Sequence, residues 1–210
     1  MKFLRSLLLT FSCSLLTALP ALALQEGRDY TRIDPPQAVE ASGKIEVLEF
    51  FSYGCPHCAT LEAPLEKWSK TLAKDVVVRR VPVTFNRPQW ETLAKGYYAL
   101  EALGEMRLHA EAFEALHRER VNLTDANTFA QWVAKKGVDS KRFLETMNSF
   151  AVASQLARAK QLVANYRVQG VPMLAIDGRY STAHGSYASH EHMLQVVSQI
   201  IDQVRNEKRR

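Results

Sequence analysis

Two cysteines three positions apart, Cys55 and Cys58, constrain this chain more than any other feature. Residues with strand character precede them, and a helical pattern follows them. Pro56 stands where the first turn of a helix accepts proline, because a missing N–H is harmless there. Since residues three apart in a helix share a face, the two sulfurs can reach each other. The sequence therefore predicts a strand that leads to a dithiol at the start of a helix.

Residues 1–23 have the pattern of a secretory signal peptide. Lys2 and Arg5 provide the positive start, an apolar run follows, and residues 21–23 form a small-x-small cleavage site. The apolar run is shorter than the ~20 residues that a membrane span needs. Cleavage would also remove Cys13, whose neighbours fit a lipid-attachment site poorly. The basic excess that remains is modest, so we expect an exported chain that binds no nucleic acid.

Export changes the chemistry expected of the two remaining cysteines. An isolated pair in an oxidising compartment closes to a disulfide unless its chemistry keeps it cycling. A disulfide between Cys55 and Cys58 closes a very short loop, so it removes little chain entropy and is a poor structural staple. A redox-active pair is therefore the favoured interpretation.

The position of Cys55 predicts a stabilised thiolate. A sulfur at a helix start faces unpaired backbone N–H groups and the positive end of the helix dipole, and His57 can add to this effect. Cys58 lies one turn further in, so we expect it to be more buried and less reactive. A low thiol pKa stabilises the reduced pair and makes the disulfide a strong oxidant.

Other uses of the pair are less well supported. A zinc site usually needs four ligands, and the sequence contains no second pair of cysteines and no clustered histidine pair. Covalent haem attachment needs histidine directly after the second cysteine, where this chain has Ala59. We therefore expect no metal and no cofactor, while an inert disulfide stays an open alternative.

The element pattern predicts an α/β fold. A strand over 45–51 leads to a helix from Cys55 to about Ala73, and a second strand follows over 76–85. A long helical stretch comes next, with Thr124 and Ser140 as expected N-caps. The chain closes with a short strand, a hairpin turn and a last helix over about 189–206. We therefore predict a small sheet flanked by helices, with a helical block inserted between its strands.

Three side chains within these elements have open interpretations. Glu49 lies among apolar residues of the first strand, so it is either at an edge with access to water or buried with a raised pKa. His109 and His117 in the helical block are expected to be surface or satisfied structural residues, since neither has a partner at ligand spacing.

Two stretches together resemble a known family. Residues 47–52 lead into Cys55-Pro56-His57-Cys58, and Gly170-Val171-Pro172 precedes a short strand and a turn at Asp177-Gly178. In this frame the chain resembles the DsbA family of periplasmic thiol:disulfide oxidoreductases over essentially the whole mature length. The resemblance implies a thioredoxin fold with an inserted all-helical domain. It assigns 24–86 and 166–210 to the thioredoxin-like domain and 87–165 to the helical insertion.

The resemblance implies roles for individual residues of the tetrad and its surroundings. Cys55 would be the nucleophile and Cys58 the resolving thiol. Pro56 and His57 would tune the redox potential of the pair. Glu49 matches the buried acid beneath the pair.

The resemblance also concerns three other places in the chain. Val171 and Pro172 are similar to the family's cis-proline loop, which faces the cysteines and pairs with the substrate backbone. Glu62 matches a second nearby acid less closely. The stretch Tyr53-Gly54 differs from the bulkier aromatic pair of some members, and Gly54 in particular puts the substrate and partner preference in doubt.

The implied activity is that of a periplasmic dithiol oxidase that introduces disulfide bonds into exported proteins. Its partners would be reduced exported proteins and a DsbB-like membrane protein that reoxidises it and passes electrons to quinone. We expect a monomer. The alternatives are a disulfide isomerase or reductase, and a non-catalytic binding or chaperone module with a structural disulfide. The 31 residues between the predicted cleavage site and Cys55 are too few for the dimerisation domain of periplasmic isomerases, and Val171 stands where such isomerases often have threonine.

Overall fold

The computed structural model describes residues 24–183 and 187–209, so the predicted signal peptide and Cys13 lie outside the described residues. The described strands are β1 Tyr30–Arg32, β2 Ile45–Phe51, β3 Val76–Pro82, β4 Met173–Ile176 and β5 Tyr180–Thr182. The described helices are α1 Pro56–Ser69, α2 Pro88–Ala102, α3 His109–His117, α4 Ala126–Lys135, α5 Ser140–Met147, α6 Phe150–Asn165 and α7 His190–Lys208. A short 3-10 helix, Met106–Leu108, leads into α3.

β2 is an interior strand of the sheet, paired on both edges. The strand order is β1-β5-β4-β2-β3, with β2 parallel to β3 and antiparallel to β4. All seven residues of β2 are buried, because helices cover both faces of the sheet and strands flank both edges of β2. β3 forms an edge of the sheet, as Pro82 predicted. The strand that leads to Cys55 therefore has a paired strand at each edge and helices packed on each face.

Strand β1 was not predicted. Residues 24–43 were expected to be an extended lead-in, but Tyr30–Arg32 pairs antiparallel with β5. The ring of Tyr30 packs edge-on against that of Tyr180, with 5.5 Å between the centroids. Three residues give too short a pattern for periodicity to detect, and the pairing depends on a strand about 150 positions away.

Hydrophobic residues form two clusters on opposite sides of the sheet. Helices α1 and α7 pack on one side, through residues such as Leu61, Leu65, Val197 and Ile200. Helices α2 to α6 occupy the chain between β3 and β4, and their buried side chains form one continuous cluster with Phe50 and Phe51 of β2. The helices are thus anchored on the strand that leads to the dithiol. That residues 87–165 constitute a separate inserted domain stays a prediction.

Two predicted helix caps were wrong by one residue. Helix α4 is capped by Asp125 rather than Thr124, and α5 by Asp139 rather than Ser140. Each aspartate accepts a hydrogen bond from the backbone N–H three residues later, at 2.8 and 2.7 Å. Thr124 instead donates its hydroxyl to Asn122. Helix α1 ends at Ser69, four residues before the predicted end.

The hairpin between β4 and β5 turns at the predicted residues. Asp177 and Gly178 have φ values of 52° and 67°, which suit the primed turns that join antiparallel strands. A side chain at position 178 would also collide with neighbouring backbone, since an added Cβ would lie 2.0 Å from the carbonyl oxygen of Gln37.

We expect Gly178→Ala to destabilise the protein by about 2–4 kcal/mol, because strain at positive φ adds to a collision with rigid backbone. Gly137→Ala is the matched control, since Gly137 also has positive φ, at 86°, but an added Cβ there would meet nothing within 4 Å. The control should lose only about 1 kcal/mol. Urea unfolding of both variants measures the difference, and equal losses would contradict the role given to Gln37.

No helix within residues 24–183 and 187–209 has the length and apolar character needed to cross a bilayer.

Candidate dithiol site

The predicted nucleophile lies at the first turn of α1. β2 ends at Phe51, and the backbone N–H of Cys55 donates to the carbonyl oxygen of Ser52 at 3.0 Å, which closes the turn into the helix. Cys55 is the N-cap residue, and Pro56 is the first helical residue, as the sequence predicted. No side chain caps this helix end, so its N–H groups are free to face the Cys55 sulfur.

The two free thiols have opposite environments. The Cys58 thiol, which hydrogen-bonds to Cys55, contributes most to lowering the pKa of Cys55 to about 6. Backbone N–H groups of Cys58 and His57 and the imidazole charge of His57 lower it further, while burial opposes them. Burial is also the main reason why the pKa of Cys58, which has no exposed surface, is raised. At neutral pH the pair therefore consists of one thiolate and one thiol that keeps its proton.

The side chain of His57 contributes only a small part of the lowering of the Cys55 pKa. We expect His57→Ala to raise the pKa of Cys55 by less than about one unit, because the Cys58 thiol and the backbone N–H groups remain in place. Titration of the ultraviolet thiolate absorbance in both proteins measures the shift. An unchanged curve would show that the imidazole contributes nothing, and a shift of several units would show that it dominates.

The predicted substrate loop lies against the nucleophile. The Cys55 sulfur is 3.3 Å from the carbonyl oxygen of Val171, and the Val171–Pro172 peptide bond is cis. A cleft of about 820 Å³ opens beside this loop and is lined by His57, Val171, Pro172, Tyr166 and Met173 among others. An extended chain in this cleft could approach Cys55 from the side of the loop.

Glu49 is buried within the sheet, so the alternative of an edge position is wrong. The residue has no exposed surface, and its carboxylate lies 3.1 Å from Nε of Arg80 on β3. Burial raises the pKa of Glu49 to about 8, and Arg80 only partly offsets this. Glu49 therefore carries a proton at neutral pH, close enough to Cys58 to influence its pKa.

The structure adds a buried polar cluster that sequence reasoning missed. Arg80 also reaches Glu62 of α1, at 3.0 Å, and Glu62 lies 3.2 Å from Nε2 of His109. The other ring nitrogen of His109 lies 2.7 Å from the hydroxyl of Tyr53. His109 is buried, so the surface placement is wrong; as a structural residue it is satisfied at Nδ1 only, because Nε2 has no aligned hydrogen bond in the described part of the chain.

One signal for this cluster was present in the sequence. Arg80 pairs directly with Glu49 in the parallel register of β2 and β3, so aligning the two strands would have placed the two charges side by side. Nothing local to His109 indicates its partners, because they come from two other elements and a loop.

Neighbours from the helical block also hold the loop before Cys55. His117 donates from Nε2 to the backbone carbonyl oxygen of Tyr53, at 2.7 Å. At Gly54 an added Cβ would lie 2.6 Å from Nε1 of Trp90. A side chain at position 54 would therefore collide with the Trp90 ring unless that ring moved.

Comparison with known proteins decides the family. A model of the DSBA-like thioredoxin domain matches residues 46–195, which include all but the first residue of β2, the dithiol and the cis-proline loop. The chain belongs to the DsbA-like thioredoxin family. It is 42% identical over 190 residues to the thiol:disulfide interchange protein DsbA of Bordetella parapertussis, covering 89% of each chain. The corresponding DsbA of Pseudomonas aeruginosa is 38% identical over 180 residues, covering 85% of each.

Solved structures of the DsbA family agree with the sequence matches. The crystal structure of Pseudomonas aeruginosa DsbA superposes with a TM-score of 0.83 at 37% identity, covering 88% of this chain and 96% of that one. An oxidoreductase of Neisseria meningitidis, NmDsbA1, gives 0.78 at 27% identity, covering 89% and 97%. The predicted family and the thioredoxin fold with its helical insertion are confirmed. The roles of the individual site residues stay predictions.

The described residues contain no group of three or more histidine, cysteine, aspartate or glutamate side chains arranged to hold a metal ion.

Proposed function

We propose that this protein is a dithiol oxidase that introduces disulfide bonds into exported proteins by thiol–disulfide exchange through Cys55 and Cys58. The observation that carries the proposal is the asymmetry of the pair, with a low pKa at Cys55 and a raised pKa at buried Cys58. A disulfide is a strong oxidant when its reduced form is stabilised in this way. The relatives named thiol:disulfide interchange proteins support the same activity.

The first exchange uses Cys55 as the electrophile. A substrate thiolate attacks the Cys55 sulfur, a mixed disulfide forms, and the bond between Cys55 and Cys58 breaks. Cys58 leaves as a thiolate in a site without solvent, where a charge is costly. Protonated Glu49 is the nearby group that can supply the proton, and solvent then reprotonates Glu49.

The second exchange releases the product. A second substrate thiol loses its proton to solvent and attacks the substrate sulfur of the mixed disulfide, and Cys55 leaves as a thiolate. The substrate is oxidised by two electrons and the protein is reduced by two. Because Cys55 stays ionised at neutral pH, it is a good leaving group, and one proton passes to solvent for each disulfide made.

Substrate binding is assigned to the loop of Val171 and Pro172. The carbonyl group of Val171 lies beside the Cys55 sulfur, where it can accept a hydrogen bond from the backbone of an extended substrate. The adjoining cleft accepts the residues that flank the substrate cysteine. Pro56 and His57 tune the potential of the pair from the first turn of α1.

The cellular setting follows from the predicted leader and the family. We place the mature protein in the periplasm as a monomer without a cofactor. A DsbB-like membrane protein would restore the disulfide and pass the electrons to quinone. Fusion of the leader to a reporter that is active only after export tests the location, and reoxidation of the reduced protein by quinone-containing membranes tests the partner.

The experiment that tests the function uses the oxidised protein and a reduced peptide with two cysteines. We expect each protein molecule to transfer one disulfide rapidly, with slow repair of a scrambled protein and slow reduction of insulin. Faster repair than oxidation would favour an isomerase, and faster insulin reduction a reductase. Binding of the peptide without exchange would favour the non-catalytic module.

A further inference from the structure

A buried cluster of four charged or titratable side chains joins the helical block to the strand that leads to the dithiol. Glu49, Glu62 and His109 are at most 6% exposed, and Arg80 lies among them. Glu49 comes from β2, Arg80 from β3, Glu62 from α1 and His109 from α3. The mechanism above needs a proton at Glu49, but it does not explain why this carboxyl group should hold it.

Arg80 lies within reach of three carboxyl groups. Glu49 and Glu62 are buried, while Glu66, 3.7 Å from Nη2 of Arg80, is half exposed. Nε of Arg80 lies 3.1 Å from Glu49, and its Nη2 lies 3.0 Å from Glu62. Arg80, whose side chain is 20% exposed, has a single positive charge that balances one of the two buried carboxylates, and two carboxylates that share a site cannot both ionise easily. One of the two should therefore keep a proton, and Arg80 alone contacts both at similar distances. A further group must therefore determine which of the two acids keeps the proton.

His109 provides that group. Its Nε2 lies 3.2 Å from Glu62, and its Nδ1 lies 2.7 Å from the Tyr53 hydroxyl. When Nδ1 accepts from the Tyr53 hydroxyl, the hydrogen of a neutral ring is on Nε2, which then faces Glu62 as a donor. Nε2 of His109 and Oε2 of Glu62 lie at this distance of 3.2 Å without the alignment of a full hydrogen bond, and Oε1 of Glu49 has no hydrogen-bond partner among the described residues. Each acid contacts Arg80 through one oxygen, so the difference between them is the imidazole nitrogen 3.2 Å from the second oxygen of Glu62.

The electrostatics agree with this geometry. Burial pushes the pKa of Glu62 upward, but His109, and after it Arg80, outweigh burial and leave it lowered. Burial lowers the pKa of His109, so the ring is a neutral donor. The other groups around the ring are the phenols of Tyr53 and Tyr97 and the more distant Glu66, and they leave this direction unchanged.

We propose that His109, reaching in from helix α3, fixes Glu62 as the carboxylate partner of Arg80 and thereby leaves Glu49 as the carboxyl group that holds a proton near Cys58. His109 is a positioning residue, because it acts on the dithiol only through Glu62 and Arg80. The inference rests on the proposed function for the use of that proton. It makes the helical block part of the proton supply of the site.

The test is a titration of Glu49 in the oxidised protein, which contains no titrating thiol in the pair. Carbon-13 NMR of labelled glutamate carboxyl groups follows the residue, and Glu49→Gln assigns its signal. His109→Asn keeps an acceptor for Tyr53 but is too short to reach Glu62, whereas His109→Gln places an amide donor near Nε2. We expect the asparagine variant to lower the pKa of Glu49 by about one unit or more, since Glu62 then takes the proton and Arg80 serves Glu49.

The matched variants separate the specific effect of His109 on Glu62 from an unspecific effect of a substitution in helix α3. His109→Gln should keep the Glu49 titration close to that of the unmodified protein, and so should His117→Gln, which changes the other histidine of α3 near Tyr53. Glu62→Gln should lower the pKa of Glu49 even if the asparagine variant fails to fold. An unchanged Glu49 titration in His109→Asn or in Glu62→Gln would overturn the inference. Peptide oxidation by the unmodified protein tests the proposed function separately, because the NMR titration requires no turnover.

Discussion

Replacing Cys55 with serine is expected to reduce oxidation of a two-cysteine peptide to the uncatalysed rate. A hydroxyl group cannot form the disulfide that the substrate thiolate attacks, and Cys58 is fully buried. Cys58→Ser should behave differently, because its Cys55 thiolate is intact. This variant should attack a disulfide-containing peptide and accumulate as a mixed disulfide that no second thiol resolves.

Non-reducing electrophoresis and mass spectrometry of the two variants measure these outcomes. The pair is internally controlled, since each variant changes one sulfur to oxygen at the same helix start. Mixed disulfides at Cys58 in the Cys55→Ser protein would reverse the assigned roles. Undiminished peptide oxidation by that protein would remove the dithiol mechanism altogether.

The reduced form is expected to become more stable relative to the oxidised form as the pH rises. In the reduced fold the pKa of Cys55 is about 6, whereas a cysteine in an unfolded chain titrates near 8.5. A depressed pKa adds stability that is fully present above the unfolded value and is lost as the pH falls through the folded value. The oxidised form has no such thiol. The free energy of unfolding of the reduced form should therefore rise relative to that of the oxidised form between pH 5 and pH 8.

We expect this change to be on the order of 2 kcal/mol, after allowing for solvent near the Cys55 sulfur. Urea unfolding of both redox forms at each pH gives their free energies of unfolding. The range stays below about pH 8, because Cys58 would ionise on unfolding at higher pH. The double variant Cys55→Ser, Cys58→Ser should show no dependence on reductant at any pH. A difference between the two free energies that stays constant from pH 5 to pH 8 would show that Cys55 has an ordinary pKa.

Local patterns predicted the elements that position the dithiol. The alternation in residues 45–51, the proline after Cys55 and the turn at Asp177 and Gly178 each correspond to structure found at the same place. These features depend on neighbours within a few residues, so the sequence contains them directly. The same holds for the last helix, α7, whose apolar face was read from its period.

Features that depend on distant pairing could not be read in the same way. The burial of Glu49 follows from β2 being an interior strand of the sheet, and the residues around Glu49 allow an edge position equally well. Nothing in the sequence indicated the role of His109, because its partners Glu62 and Tyr53 are at least 47 positions away. Strand β1 exists only through its pairing with β5.

The equilibrium between the Cys55–Cys58 pair and glutathione tests the central claim most directly. The claim is that an ionised Cys55 stabilises the reduced protein and makes its disulfide oxidising. We therefore expect the pair to have a potential well above that of the glutathione couple, so that glutathione reduces it almost completely. A potential below about −300 mV, which is typical of structural disulfides, would contradict the account.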